Sequence, residues 1–309
     1  MRYVAHRLFA AHDRALAAAL ANRLAVKLGE DQVFLPFCDT NEEDLVADLK
    51  GRRLFELDRD RLRRIRALIA IVHGPSPDDG VCMEIGYAVA LGAPVILLTT
   101  DFQEYSATLH GSRSVFPDPL LDALATRIVR IPRLGTPSEP TGDTRFADFA
   151  ARNHAQIQEA IDACAEAVLQ LPSPGAATPR PSRDPHTVFV EPSPYTPVHG
   201  GLPAATGTTV LRSTRFDAAD PITAARRDWA TALCSSRIVV DTSGPETPPG
   251  AALLIGAACA TDQPVAAYLP HSTYTHAAGR EPNFRNLMIQ YGIDALLRTP
   301  DEVTAWIGG

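Results

Sequence analysis

The chain has 309 residues, 36 Asp and Glu against 29 Lys and Arg, a net charge of −7 and 45% hydrophobic residues. That balance offers no cationic footprint for a nucleic-acid backbone, whose binding rests on neutralising phosphates, and no apolar run is long enough to cross a bilayer. A small-molecule partner is therefore expected, with no nucleic acid and no membrane.

Length alone predicts about two domains. The amino terminus enters a strand-like segment, Tyr3-Val-Ala, with no signal-peptide pattern, so a cytoplasmic location is expected. Cys38, Cys82, Cys164, Cys234 and Cys259 are isolated from one another and from His-rich neighbours. They read as reduced structural residues, and neither a metal nor a cofactor is implied.

After the first strand, Ala10 to Leu28 carries apolar residues at helical spacing. Arg53 to Arg66 reads as a charged helix, Ala67 to Val72 as a buried strand, Gly80 to Leu91 as a helix and Pro94 to Thr99 as another buried strand. Thr126 to Ile131 suits a further strand and Phe146 to Leu171 a long amphipathic helix. A proline-dense stretch from Pro172 forbids helix and central strand alike, so residues 172–186 are expected to link two domains, 1–171 and 187–309. Beyond it the pattern predicts strands at Thr187 to Val190, Ile238 to Val240 and Val265 to Leu269, helices at Ala218 to Leu233 and Gly250 to Thr261, and a surface loop at Ser193 to Thr214. Alternating strands and helices imply an α/β fold with two doubly wound parallel sheets of the flavodoxin or Rossmann-like kind.

The two halves share a register. Gly74, Pro75, Gly80, Ile85, Gly86, Pro94 and Val95 recur without gaps as Gly244, Pro245, Gly250, Ile255, Gly256, Pro264 and Val265, a constant offset of 170 residues. So long a period indicates two copies of one domain in tandem rather than a solenoid. Glu84, a carboxylate in an otherwise apolar helix, is replaced by Leu254 in the second copy.

Burying a carboxylate is costly unless it is paired or used. In an open parallel sheet ligands bind beyond the carboxyl ends of the strands, where the Asp78-Asp79 loop falls. Capping of the following helix is the plainer role for both aspartates, and the two roles are compatible. Asp58 adds a further acid. Several carboxylates with separate nucleophile and acid roles suit glycosidic cleavage, whose transition state is a cation at the anomeric carbon with a leaving group that needs a proton.

With Tyr3-Val-Ala, Phe55-Glu-Leu-Asp58, Pro77-Asp78-Asp79-Gly80, Met83-Glu84-Ile-Gly-Tyr-Ala, Leu91-Gly-Ala-Pro-Val-Ile and Asp101, the first copy resembles the nucleoside 2'-deoxyribosyltransferases and their N-glycoside hydrolase relatives. The resemblance implies that Glu84 attacks the anomeric carbon and forms a glycosyl-enzyme. It assigns work on the leaving base to Asp78, with Asp79 as the alternative, base recognition to Asp58 and positioning of the nucleophile to Tyr3.

The family also takes an N-x-M motif from a neighbouring subunit. Here Asn286-Leu-Met288 matches it in the second copy, while the ungapped counterparts in the first, Phe116 and Asp118, have lost it. The second copy in turn lacks the acids, with Leu254, Pro248 and Pro249 in their places, although Asp228 survives at the position of Asp58. These complementary losses imply an intrachain pseudo-dimer with one working and one vestigial site; further homo-oligomerisation is left open. Arg7 stands where many members have a glycine-rich turn, and either binds a substrate phosphate or pairs with an acid. The expected reaction is cleavage of a nucleoside N-glycosidic bond through glycosyl-Glu84 with transfer to a free base. The alternatives are hydrolysis of a nucleoside or its 5'-monophosphate, and a nucleotide-binding module without chemistry.

Overall fold

A computed structural model describes residues 1–40, 50–138, 142, 144–171, 181–195, 207–276 and 281–309. In the first half the elements are β1 (Arg2–Ala5), α1 (Ala11–Leu28), β2 (Val33–Phe34), α2 (Lys50–Leu62), β3 (Ala67–Ile71), α3 (Asp79–Ala90), β4 (Val95–Thr99), α4 (Pro119–Leu124), β5 (Arg127–Arg130) and α5 (Arg145–Leu169). The strands are all parallel, in the order β2-β1-β3-β4-β5. β3 and β4 read as continuous Ala, Ile, Leu and Val because helices cover both faces of the sheet.

The second half runs β6 (Asp184–Glu191), β7 (Thr209–Arg212), α6 (Pro221–Cys234), β8 (Ser235–Asp241), α7 (Pro249–Thr261), β9 (Val265–Tyr268), α8 (Leu287–Gly292), β10 (Ala295–Leu297) and α9 (Pro300–Gly308). Its parallel sheet has the order β10-β9-β8-β6-β7, which is the first sheet's order read strand for strand. The fold is α/β and doubly wound, with two such sheets.

Several boundaries differ from the sequence expectation: α6 starts at Pro221 rather than Ala218 and β8 at Ser235 rather than Ile238, and three further differences have a physical reason. β7 lies inside the stretch expected to be a surface loop, because Thr209-Val-Leu-Arg has only its parallel pairing to β6 to mark it, at the edge of the sheet. Residues 196–206 of that stretch lie outside the described residues. β6 starts at Asp184 rather than Thr187: its first residues are exposed and its register with β8 slips between Asp184 and Val188, which accommodates Pro185 in a strand. α2 starts earlier than Arg53 and stops at Leu62, since Arg66 already gives its N–H to Met1 beside β1. Residues 172–180 of the expected linker are outside the described residues.

The sheets face each other across α3 and α7. Both helices are buried almost all round, Asp79 to Ala88 in one and Pro249 to Ala258 in the other, which is why neither shows a polar face in sequence. They approach closely enough that a methyl on Gly86 would collide with the carbonyl of Leu253, and one on Gly256 with the carbonyl of Met83. Those pairs are related by the 170-residue offset, so the contact is self-complementary like that of a two-fold dimer. One hydrophobic core runs through this layer from sheet to sheet, Leu68 and Leu97 on one side and Ile238 and Ala267 on the other. The outer face of the first sheet is closed by α1 and α5, and that of the second by α9. No helix among the described residues is long and apolar enough to cross a membrane.

Candidate active site

The site forms where β1 and β3 end and α3 begins. Asp78 caps α3, its Oδ1 accepting from the Val81 N–H at 3.0 Å, as an aspartate at that position should. Asp79 opens the helix and is buried, with Oδ2 3.4 Å from the Thr247 N–H of the second half. In the second turn lies Glu84, only 7% exposed. The hydroxyl of Tyr3, wholly buried on β1, donates to Glu84 Oε1 at 2.5 Å. Asp58 approaches from the buried side of α2.

These acids line a cleft of about 340 Å³ that both halves build. From the first half come Asp58, Asp78, Asp79 and Glu84; Asn286 and Met288 at the start of α8 come from the second. Asn286 caps α8, its Oδ1 accepting from Met288 N–H at 3.0 Å. That leaves its amide nitrogen facing Gly80, where a methyl would stand 2.6 Å from Nδ2. Seven of the eight residues expected at the site thus meet: six line the cleft and Tyr3 supports Glu84 from behind.

Arg7 stands beside the cleft. Its Nη2 donates to the Ser76 carbonyl at 2.9 Å, its Nε lies 3.8 Å from Asp78 Oδ2 and its Nη2 lies 3.8 Å from Glu246 Oε2. Of the two roles left open for it, the geometry shows the pairing with acids. His73 is tied to Thr100, whose N–H lies 3.0 Å from Nε2, and His110 is exposed.

Burial pushes the Asp78 carboxyl up to about 6, against the Val81 hydrogen bond and the Arg7 charge. Asp79 rises to about 7, first through burial and then through the neighbouring Asp78. The two titrate together, so near neutral pH the pair retains proton while sitting at the mouth of a helix dipole. Such a pair can donate a proton, and Glu84, oriented by a buried hydroxyl, can attack an electrophile. Among the described residues no cluster of three or more His, Cys, Asp and Glu side chains is disposed to hold a metal ion.

The sequence profile described as Nucleoside 2-deoxyribosyltransferase matches residues 3–167. The chain belongs to the nucleoside 2-deoxyribosyltransferase family. No curated protein matches it. The match covers the first sheet from Tyr3 onward and stops before the second, so Asp58, Asp78, Asp79 and Glu84 fall in the matched half and Asn286 and Met288 outside it.

The position corresponding to the family site in the second half is built differently. Glu191, Asp228 and Asp118 surround the guanidinium of Arg215, which is 1% exposed. Arg215 Nε and Nη2 donate to Asp118 at 2.7 and 2.8 Å, its Nη1 donates to Glu191 at 3.0 Å, and Nη2 also donates to Glu191. Asp228 accepts from the backbone N–H groups of Thr214 and Arg215 at 2.9 and 3.0 Å, a structural role. Burial alone would lower the Arg215 value, and the Asp118 and Glu191 carboxylates more than reverse this.

Asp118 caps α4 just as Asn286 caps α8, each accepting from the N–H two residues on. The counterpart of Asn286 is therefore Asp118. The ungapped alignment that paired it with Phe116 fails because the stretch from the start of β9 to the start of α8 is two residues shorter than that from the start of β4 to the start of α4. The loop before α8, pinned by a bridge between Thr275 and Asn283, also brings Thr273, Thr275 and His276 to the cleft. Sequence reasoning missed these, and it missed Glu246 and Arg285; for Glu246 the offset gave a signal, since it occupies the position of Ser76.

Proposed function

We propose that the chain moves the sugar of a nucleoside from one base to another at a single site, with the first half supplying the chemistry and the second closing the sugar side. The reading takes the halves as tandem copies, 1–171 and 187–309, an interpretation supported by their common strand order and by the reciprocal Gly86 and Gly256 contacts. The observation that carries it is the cleft lined by Asp58, Asp78, Asp79 and Glu84 opposite Asn286 and Met288, with Tyr3 fixing Glu84.

In this mechanism a Glu84 oxygen bonds to C1' as the C1'–N bond breaks. The bonding pair leaves with the base nitrogen, which takes its proton from the Asp78-Asp79 pair. A second base then attacks C1', returns its proton to the pair and expels Glu84. Asp58 reads the base edge, and Asn286 with Met288 holds the sugar. The uncharged nucleoside is favoured over its 5'-monophosphate: four first-half carboxylates and Glu246 line the cleft, and its arginine, Arg285, already donates from Nη2 to the carbonyls of Thr242 and Gly244 at 2.8 and 3.0 Å.

Incubation with deoxynucleosides, ribonucleosides and 5'-monophosphates, with and without a free base, tests this by the products formed. A new nucleoside is expected from a deoxynucleoside and a second base, together with a sugar adduct on the intact protein by mass. Glu84→Ala should lower the rate by about three orders of magnitude or more, as loss of a nucleophile does. Asn286→Ala should weaken turnover in parallel. Full activity of Glu84→Ala, or ligand binding with no turnover by the parent chain, refutes the mechanism.

A further inference from the structure

Glu246 occupies the position of Ser76 at the 170-residue offset, and the two meet across the interface: Ser76 Oγ donates to Glu246 Oε2 at 3.1 Å. A residue that meets its own counterpart lies close to the pseudo-two-fold axis. Two identical subunits would place two serines or two glutamates there. This single chain places one of each, and its added carboxylate faces Arg7 and the acids of the cleft.

We propose that Glu246, contributed by the second half, is a positioning residue for Asp78: it shares the Arg7 guanidinium and so prevents that cation from neutralising Asp78 alone. The inference rests on the role given above to the Asp78-Asp79 pair. Asp78 has two oxygens with distinct duties. Oδ1 is held by the Val81 N–H, while Oδ2 looks toward Arg7 Nε at 3.8 Å. Arg7 is anchored by its bond to the Ser76 carbonyl, and from there its Nη2 reaches Glu246 at the same 3.8 Å. The cation thus stands between two carboxylates from different halves and is committed to neither.

The remaining charges around Asp78 are accounted for. Asp79 follows it on α3, and Glu84 shares the cleft. Across a second cavity of about 30 Å³ stand His6, Asp13 and His73, and burial lowers both histidines. Arg285, on the second-half wall, interacts with Asp79 and Glu246. Among these, the negative charge of Glu246 raises both Asp78 and Asp79, and Arg7 lowers Asp78. Because Arg7 and Glu246 are 40% and 41% exposed, solvent screens the effect.

The test is carboxyl-carbon NMR titration of aspartate-labelled protein, with Asp78 assigned through Asp78→Asn, alongside the pH profile of kcat. In Glu246→Gln, which keeps an acceptor for Ser76, the Asp78 midpoint should fall by about half a unit or more. The alkaline limb of kcat should fall with it, while KM changes less than about two-fold. Arg7→Gln should move the midpoint the other way, and Glu246→Asp should restore part of the parent value. An Asp78 midpoint unmoved in Glu246→Gln overturns the proposal even if turnover is intact. A parent chain without glycosyl transfer would refute the proposed function instead, while the titration still decides whether the two carboxylates are coupled.

Discussion

The open cleft at α3 and its counterpart at α7 share one backbone plan and solve opposite problems. At the first, Tyr3 and Glu84 form a buried hydrogen-bonded pair beside a cavity. At the second, Phe189, which pairs with Ile238 as Tyr3 pairs with Leu68, lies with Leu254 within the common apolar core, and the space beyond Gly250 is filled by Arg215. Each half also presents the capping residue of one of its own helices to the other: Asn286 faces Gly80, and Asp118 faces Gly250. The donated amide leaves room for a ligand, whereas the donated carboxylate is consumed by the chain's own guanidinium. At the cleft, burial raises Asp78 and Asp79 with no buried cation among the described residues against them, while Asp118 and Glu191 are held by the buried Arg215 guanidinium and become a tie between the halves.

Removing the tie is the largest break available. In Arg215→Met, Asp118 and Glu191 would remain buried without their cation, which costs about 3–5 kcal/mol. Lowering the pH would protonate the stranded carboxylates, so the loss should be greater at pH 8 than at pH 5 in urea unfolding. Under the proposed function nucleoside binding should stay at one per chain, because Leu254 and Phe189 still stand in the places of Glu84 and Tyr3. Two bound nucleosides per chain in this variant would show that the second site is merely plugged.

A smaller effect is expected from the helix contact. Gly256→Ala presses on the carbonyl of Met83, the residue before Glu84, whereas Gly86→Ala presses on the carbonyl of Leu253, before Leu254. Each overpacks the interface by about 1–3 kcal/mol. Gly256→Ala should lower kcat about 10- to 100-fold, because displacement of the nucleophile costs rate steeply, and Gly86→Ala should lower it less. Equal losses would mean that the damage is to the interface as a whole rather than to Glu84.

The sequence made the central layer legible for a physical reason. Strands buried on both faces and helices buried all round leave uninterrupted apolar runs, and the fixed 170-residue register exposed Glu84 as the lone acid among them. The periphery was harder to read. β2 has two residues, β7 is an edge strand, and α4 and α8 have six residues each, too short for a periodic signal. The two-residue shortening before α8 then shifted the alignment and hid the equivalence of Asn286 and Asp118. Arg215 gave no sign of its burial, because a charged residue in a polar loop is ordinarily exposed and its three carboxylate neighbours come from distant parts of the chain.

The smallest change sharpens the comparison most. Tyr3→Phe makes the first site resemble the second at one atom, removing the hydroxyl that donates to Glu84. A buried hydrogen bond to a charged group contributes about 1.5–3 kcal/mol to stability, so folding stability should fall by up to that amount. Loss of the orienting hydroxyl should lower kcat/KM roughly 10- to 100-fold. The reverse change, Phe189→Tyr, would place a hydroxyl where the counterpart of Glu84 is the apolar Leu254, at a cost of about 1–3 kcal/mol and with no activity gained. If Tyr3→Phe instead kept full kcat/KM, the hydroxyl would serve packing alone. The substitution of Tyr by Phe between the halves would then carry no functional meaning.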